Sequence, residues 1–140
     1  MVPGMIIGRR SVAPAKARPV FNIPLEVAFE DDCMAVIQKP AGFHCKGIGI
    51  QKIDNALSSN LKPSTAVDRL PGGPVAVHRL DARTSGLLVI AKTRRAHMSL
   101  FKQFDRNVVD GDMGKIQKKY TCIVMGRLEG TPPTLIKLAV

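Results

Sequence analysis

The chain has 140 residues, enough for one domain, and its 45% hydrophobic content is that of a folded chain and not of a disordered one. Lys and Arg number 21 against 11 Asp and Glu, and the resulting net charge of +10 points to a polyanionic partner, nucleic acid before a membrane surface. No apolar run approaches the roughly 18 residues of a membrane span, so no membrane insertion is expected. The three cysteines (Cys33, Cys45, Cys122) form no CxxC pair, which argues against a zinc ribbon or a disulfide framework and fits a reducing compartment. With no Trp and one Tyr, the chain lacks the aromatic platforms of RNA-recognition-motif proteins.

Residues 1–24 carry Arg9, Arg10, Lys16 and Arg18, prolines at 3, 14, 19 and 24, and no acid before Glu26. The prolines forbid a long helix, so a flexible basic arm is expected, with an organellar transit segment as the alternative. No apolar stretch of secretory type follows the basic residues. A cytoplasmic or organellar protein (mitochondrion or plastid), not a secreted one, is therefore expected.

The domain is expected over 25–140. LEVAF and MAVIQ, within 25–39, read as a hairpin whose turn is Glu30, Asp31 and Asp32; Pro40 and Gly42 then end the second strand. Residues 41–52 are a glycine-rich loop. Ile53, Ala56, Leu57 and Leu61 share one face of a short helix over 53–61. Residues 62–74, rich in Pro and Gly, are connection. Residues 75–92 form a strand, a tight turn ended by Gly86, and a buried strand LLVIA. Thr93 can cap an amphipathic helix over 94–107, with Ala96, Leu100, Phe101, Phe104 and Val108 on one side and Arg94, Arg95, Lys102 and Arg106 mostly on the other. Tyr120 to Met125 reads as a further strand, ended by Gly126. Hairpins dominate and no strict βαβ rhythm occurs, so the fold class is α+β, a mainly antiparallel sheet with flanking helices.

One stretch looks chemical: His78-Arg79-Leu80-Asp81-Ala82-Arg83-Thr84-Ser85-Gly86. A single carboxylate, Asp81, lies between two arginines in a turn before an apolar strand. The arginines favour its ionised form, and Arg79 or Arg83 is expected within ion-pair reach of it at the floor of a basic cleft. On physics alone such an Asp is a surface ion pair of small energetic weight. His44 and Cys45 are neighbours with no further ligand types nearby, so no metal site is expected.

HRLDARTSGLLVIAKT resembles the signature of RluA-type RNA pseudouridine synthases, in which HRLD is followed by two variable residues, T-[SG]-G-[LI]-L and a strand ending in AK. EDDCMAVIQKPAGF at 30–43 is similar to the family's upstream segment with K-P-x-G, and KKYTCIVMGRL at 118–128 is similar to its downstream K-x-Y segment. The resemblance covers Leu25 to Leu128. It implies an isomerase that turns uridine into pseudouridine in structured RNA (rRNA or tRNA), with no metal or cofactor; the sequence does not give the oligomeric state, and a monomer is expected.

It also implies roles for particular residues. Asp81 matches the catalytic aspartate, Arg79 the arginine that supports it, and Tyr120 the tyrosine that packs on the target base; read without the resemblance, Tyr120 is a buried strand tyrosine. Lys39 and Pro40 match a structural motif, and His78 a structural histidine. Breaking a glycosidic bond builds positive charge on the sugar carbon, which a carboxylate can stabilise or capture, and whether Asp81 attacks that carbon or assists elimination through a glycal stays open. The base must leave its stack, and Tyr120 offers a flat face for it. Arg83, Arg94, Arg95, Lys115, Lys118 and Lys119 are the expected phosphate grip.

Some features depart from the family. A later segment resembling GR-T-HQ-[IL]-R-x-H has no counterpart up to Val140. The domain is therefore expected to be C-terminally incomplete, with exposed edges and apolar patches, and the chain alone to be weak or inactive while still binding RNA. The loop at 108–117 looks longer than the family's, and HCKG at 44–47 is unusual. Two alternatives stand beside the isomerase. One is a non-catalytic RNA-binding or assembly protein that keeps a truncated synthase fold. The other is an unrelated basic ribosome-associated protein.

Overall fold

A computed structural model of the chain describes residues 21–47, 49, 51–104, 116–123, 125 and 126. In chain order the elements are β1 (Glu26–Glu30), β2 (Met34–Lys39), α1 (Ile53–Asn60), β3 (Val75–Ala76), β4 (Gly86–Ala91) and α2 (Arg94–Phe104). The strands lie in the order β1-β2-β4-β3 and every pairing is antiparallel, as the hairpin-dominated sequence predicts. The β1–β2 turn is closed by Asp31, whose Oδ1 accepts from the N–H groups of Cys33 and Met34, each at 2.7 Å. β2 and β4 pair along their whole length, from Met34 opposite Ala91 to Lys39 opposite Gly86.

Alternation along these strands sends Ala35, Ile37, Leu88 and Ile90 to one face, where they are fully buried with Ile53, Ala56 and Leu57 of α1. That face is the core. Burying each larger side chain there contributes about 1.5–3 kcal/mol. The first N–H groups of α1 are satisfied by the loop before it: Ile53 donates to the His44 carbonyl at 2.9 Å and Asp54 to the Cys45 carbonyl at 3.3 Å. Asp54 in the first turn complements the helix dipole. α2 starts on the Thr93 hydroxyl, which accepts from Ala96 N–H at 3.2 Å, and on Asp68, whose Oδ2 accepts from Arg95 N–H at 3.1 Å.

The opposite face of the sheet carries Val36, Leu87 and Val89, with α2 packed on β4. It is open. Phe29 and Leu87 are exposed there, as are Met98 and Phe101 of α2, and no residue of α2 is buried. Among the described residues no helix is long and apolar enough to cross a membrane.

Three expectations need adjustment. Residues 21–24 do not behave as part of an arm: Phe21 and Ile23 pack against the core, and Asn60 clamps the segment by accepting from Leu25 N–H and donating to the Ile23 carbonyl, both at 2.8 Å. Residues 1–20 of the expected arm lie outside the described residues. Residues 120–123 are irregular where a strand is expected, because a strand needs a neighbouring ladder and this stretch pairs with none among the described residues. The predicted helix 94–107 is seen to Phe104, and 105–107 lie outside the described residues.

Candidate active site

The HRLD segment leaves the sheet where β3 ends. Leu80 turns inward and joins the core, so its neighbours Arg79 and Asp81 turn outward and are exposed. Thr84 N–H donates to the Asp81 carbonyl at 3.0 Å, which makes 81–84 a tight turn with Asp at its favoured first position. Gly42 N–H reaches the Ala82 carbonyl at 2.7 Å, and Gly42 holds φ +94°, a conformation that disfavours any other residue.

Behind the turn lies Lys39, the last residue of β2, and its side chain is fully buried. Its ammonium donates to the carbonyls of Thr84 at 2.7 Å, Pro40 at 3.0 Å, and Asp81 and Ala82 at 3.2 Å. Three N–H bonds are shared among four oxygens. This staple is what the K-P-x-G resemblance leaves as merely structural: it ties the end of β2 to the backbone of Asp81 itself. Burial pushes the Lys39 ammonium below its ordinary value, and Cys45 and Asp81 act in the opposite direction. Cys45, buried beside it, grips Leu80 from both sides: Sγ accepts from Leu80 N–H and donates to the Leu80 carbonyl, each at 3.3 Å. Sequence reasoning missed this role. The departure of HCKG from the family pattern was the available signal.

Beside the turn, on the open face of the sheet, lies a groove of about 620 Å³. Val36, Leu87 and Val89 form its apolar floor, His78 and Phe104 a wall, and Lys118 to Thr121 the opposite rim. Leu80 and Thr84, on either side of Asp81, also line it. Tyr120 borders the groove and is 64% exposed, so the buried strand tyrosine does not occur. The ring of Phe104 stacks on His78, with centroids 4.2 Å apart, and the ammonium of Lys118 lies 5.1 Å from the Phe104 centroid. Arg79 lines a smaller recess beside the same residues.

The expected ion pair between Asp81 and an arginine is absent: among the described residues the only ion pair is Lys92 with Glu30 at 2.9 Å. Residues 79, 81 and 83 all point into solvent, where long arginine side chains gain little by locking onto a carboxylate. The cation tied to Asp81 is Lys39, through the backbone. The expected phosphate grip is divided. Arg83 sits in the Asp81 turn, and Lys118 and Lys119 line the groove. Arg94 and Arg95 begin α2, beyond the Ala91 end of β4, a strand length of roughly 17–20 Å from the Gly86 end where the turn lies. Lys115 lies outside the described residues.

An antiparallel sheet that presents an aspartate turn beside a groove with an aromatic and two lysines at its edge fits an RNA-modifying domain. The sequence bears this out: residues 34–138 match the family model of the RNA pseudouridylate synthases, and the chain belongs to that family. Among curated relatives it is similar to a ribosomal large subunit pseudouridine synthase D of Zymomonas mobilis, 41% identical over 118 residues, which cover 78% of this chain and 34% of that protein. A synthase of the same name from Nitrosomonas europaea is 35% identical over 107 residues, 76% of this chain and 29% of that protein. An RNA pseudouridine synthase of Aquifex aeolicus is 34% identical over 108 residues, 75% of this chain and 32% of that protein. The chain thus spans about a third of the length of these relatives.

Proposed function

We propose that this chain carries the isomerisation centre of an RNA pseudouridine synthase, acting on RNA of the large ribosomal subunit, with Asp81 as the group that meets the sugar. The observation that supports this most strongly is the Asp81 turn itself. Among the described residues its carboxylate makes no hydrogen bond or ion pair, while its backbone is held from behind by a buried ammonium. A reacting carboxylate needs that combination of a fixed origin and an open face.

In the reaction the N1–C1′ bond of uridine breaks, the uracil turns, and C5 bonds to C1′. C5 gives up its proton and N1 ends with one, so nothing is oxidised or reduced. Asp81 serves as nucleophile at C1′ or as base toward a glycal, and both routes need it beside the sugar. The apolar floor and Tyr120 receive a base turned out of its stack, at a cost of a few kcal/mol that is smallest in loops. Lys118, Lys119 and Arg83 take phosphates near the site, and Arg94 and Arg95 reach only an RNA that runs the length of β4. The ribosomal substrate is carried over from the names of the relatives.

The test is Asp81→Asn. Pseudouridine formation on large-subunit rRNA fragments is expected to fall by at least about 10²–10³ fold, with salt-dependent RNA binding nearly unchanged. Turnover is read under single-turnover conditions with the chain in excess over RNA, and a variant that keeps the turnover of the unaltered chain refutes the proposal.

A further inference from the structure

β3 is two residues long, and beyond it Val77 makes one more sheet bond, its N–H donating to the Val89 carbonyl at 3.0 Å. In an antiparallel ladder the pair 77/89 would return a second bond, from Val89 N–H to the carbonyl of residue 77. Here the chain is already bending away toward Asp81. Val89 N–H donates instead to Nε2 of His78 at 3.1 Å. The imidazole thus stands where a strand carbonyl would be, at the point where the HRLD segment leaves the sheet.

That bond sets the state of the ring. Nε2 accepts, so the ring proton is on Nδ1, which is buried close to the Arg79 backbone without making a well-formed hydrogen bond. The ring face is covered by Phe104 at the end of α2. One side chain therefore joins β4, α2 and the turn that carries Asp81.

We propose that neutral His78 is a positioning residue for the Asp81 turn, and that protonating it releases the turn and disassembles the groove. An imidazolium has no acceptor: Nε2–H would meet Val89 N–H, leaving a buried donor facing a donor. The surroundings oppose that charge. Burial acts most strongly, and Lys118 from the groove rim and Lys46 from the 41–47 loop add their positive charge; the Arg79 backbone acts the other way. Arg79 shares the adjoining recess, and the α2 residues in contact, Phe101 and Phe104, are uncharged. No carboxylate is among the groups acting on the ring. His78 therefore titrates below the ordinary 6.5, and the groove is held together at neutral pH and lost in mild acid.

The role rests on the functional reading above, but its test does not depend on it. The whole chain is titrated by NMR, following the His78 ring nitrogens and the Val89 amide, for the unaltered protein, His78→Gln and His78→Leu. Gln supplies a carbonyl acceptor of similar reach that does not titrate. The expected result is that the Val89 amide moves with the same midpoint as the ring in the unaltered protein and is flat with pH in the Gln variant. In His78→Leu, Val89 amide exchange should quicken by about tenfold or more, as for a buried donor left unpaired. With rRNA fragments as substrate, the acid limb of pseudouridine formation should move to lower pH in His78→Gln. A Val89 amide that ignores the ring titration, or a Gln variant with an unshifted acid limb, overturns the proposal. Where turnover is too weak to follow with pH, the amide titration alone decides the role of His78. If His78→Leu does not fold, the Gln comparison still decides it.

Discussion

The paired strands β2 and β4 end in a buried lysine at each extreme, and the two are satisfied in opposite ways. Lys92, just past the end of β4, meets a carboxylate: Glu30 at 2.9 Å, with the Asp31 carbonyl at 2.6 Å. Lys39, at the end of β2, meets only backbone carbonyls, four of them within 3.2 Å. A carboxylate partner makes a staple for a hairpin turn. A cage of carbonyls neutralises no charge, so it can stand behind an aspartate turn without supplying a competing anion. The difference separates the end of the sheet that closes the fold from the end that is equipped for chemistry.

The largest effect is expected at the second end. Lys39→Met keeps the volume, and the Asp81 and Ala82 carbonyls keep their donors from Thr84 and Gly42. The Pro40 and Thr84 carbonyls lose the ammonium, at about 1–3 kcal/mol each, so urea unfolding should show a loss of about 2–6 kcal/mol. Lys92→Met should cost less, about 1–2 kcal/mol, because Glu30 is partly exposed and can rehydrate. Equal losses for the two variants would break the comparison.

Cys45→Ala removes both grips on Leu80 and should cost about 1 kcal/mol, with Cys45→Ser recovering part of it, measured by the same unfolding curves. An alanine variant as stable as the serine one would show that the thiol only fills space.

The smallest expected effect is a trend with pH. The His78 value in the fold lies below that of the unfolded chain. Below 6.5 the unfolded chain takes up a proton that the fold refuses, so stability present above 6.5 is lost as pH falls from there to the folded value. Thermal unfolding across that window checks the sign, and His78→Gln should flatten it.

Much of this was legible without coordinates. Short apolar runs with β-branched members marked β2 and β4, the spacing of Ile53, Ala56, Leu57 and Leu61 marked α1, and Thr93 marked the start of α2, since these signals are local. The HRLD segment marked the turn. What failed depended on distant partners. The stretch from Tyr120 has strand composition but pairs with no strand among the described residues, and the arginines around Asp81 are neighbours in sequence that diverge in space.

By itself the sequence determined an antiparallel α+β domain, its family, and the residue types of the site, because short-range periodicity and a long motif suffice for those. Only the tertiary structure decided what holds Asp81 in place. Lys39 and Asp81 are 42 residues apart, and Cys45 and Leu80 are 35 apart. The strand bond that His78 replaces exists only once β3 has paired with β4 and stopped. Hydrogen bonds of this kind are specified by where the sheet ends and the chain turns away, and no local pattern of residues encodes that position.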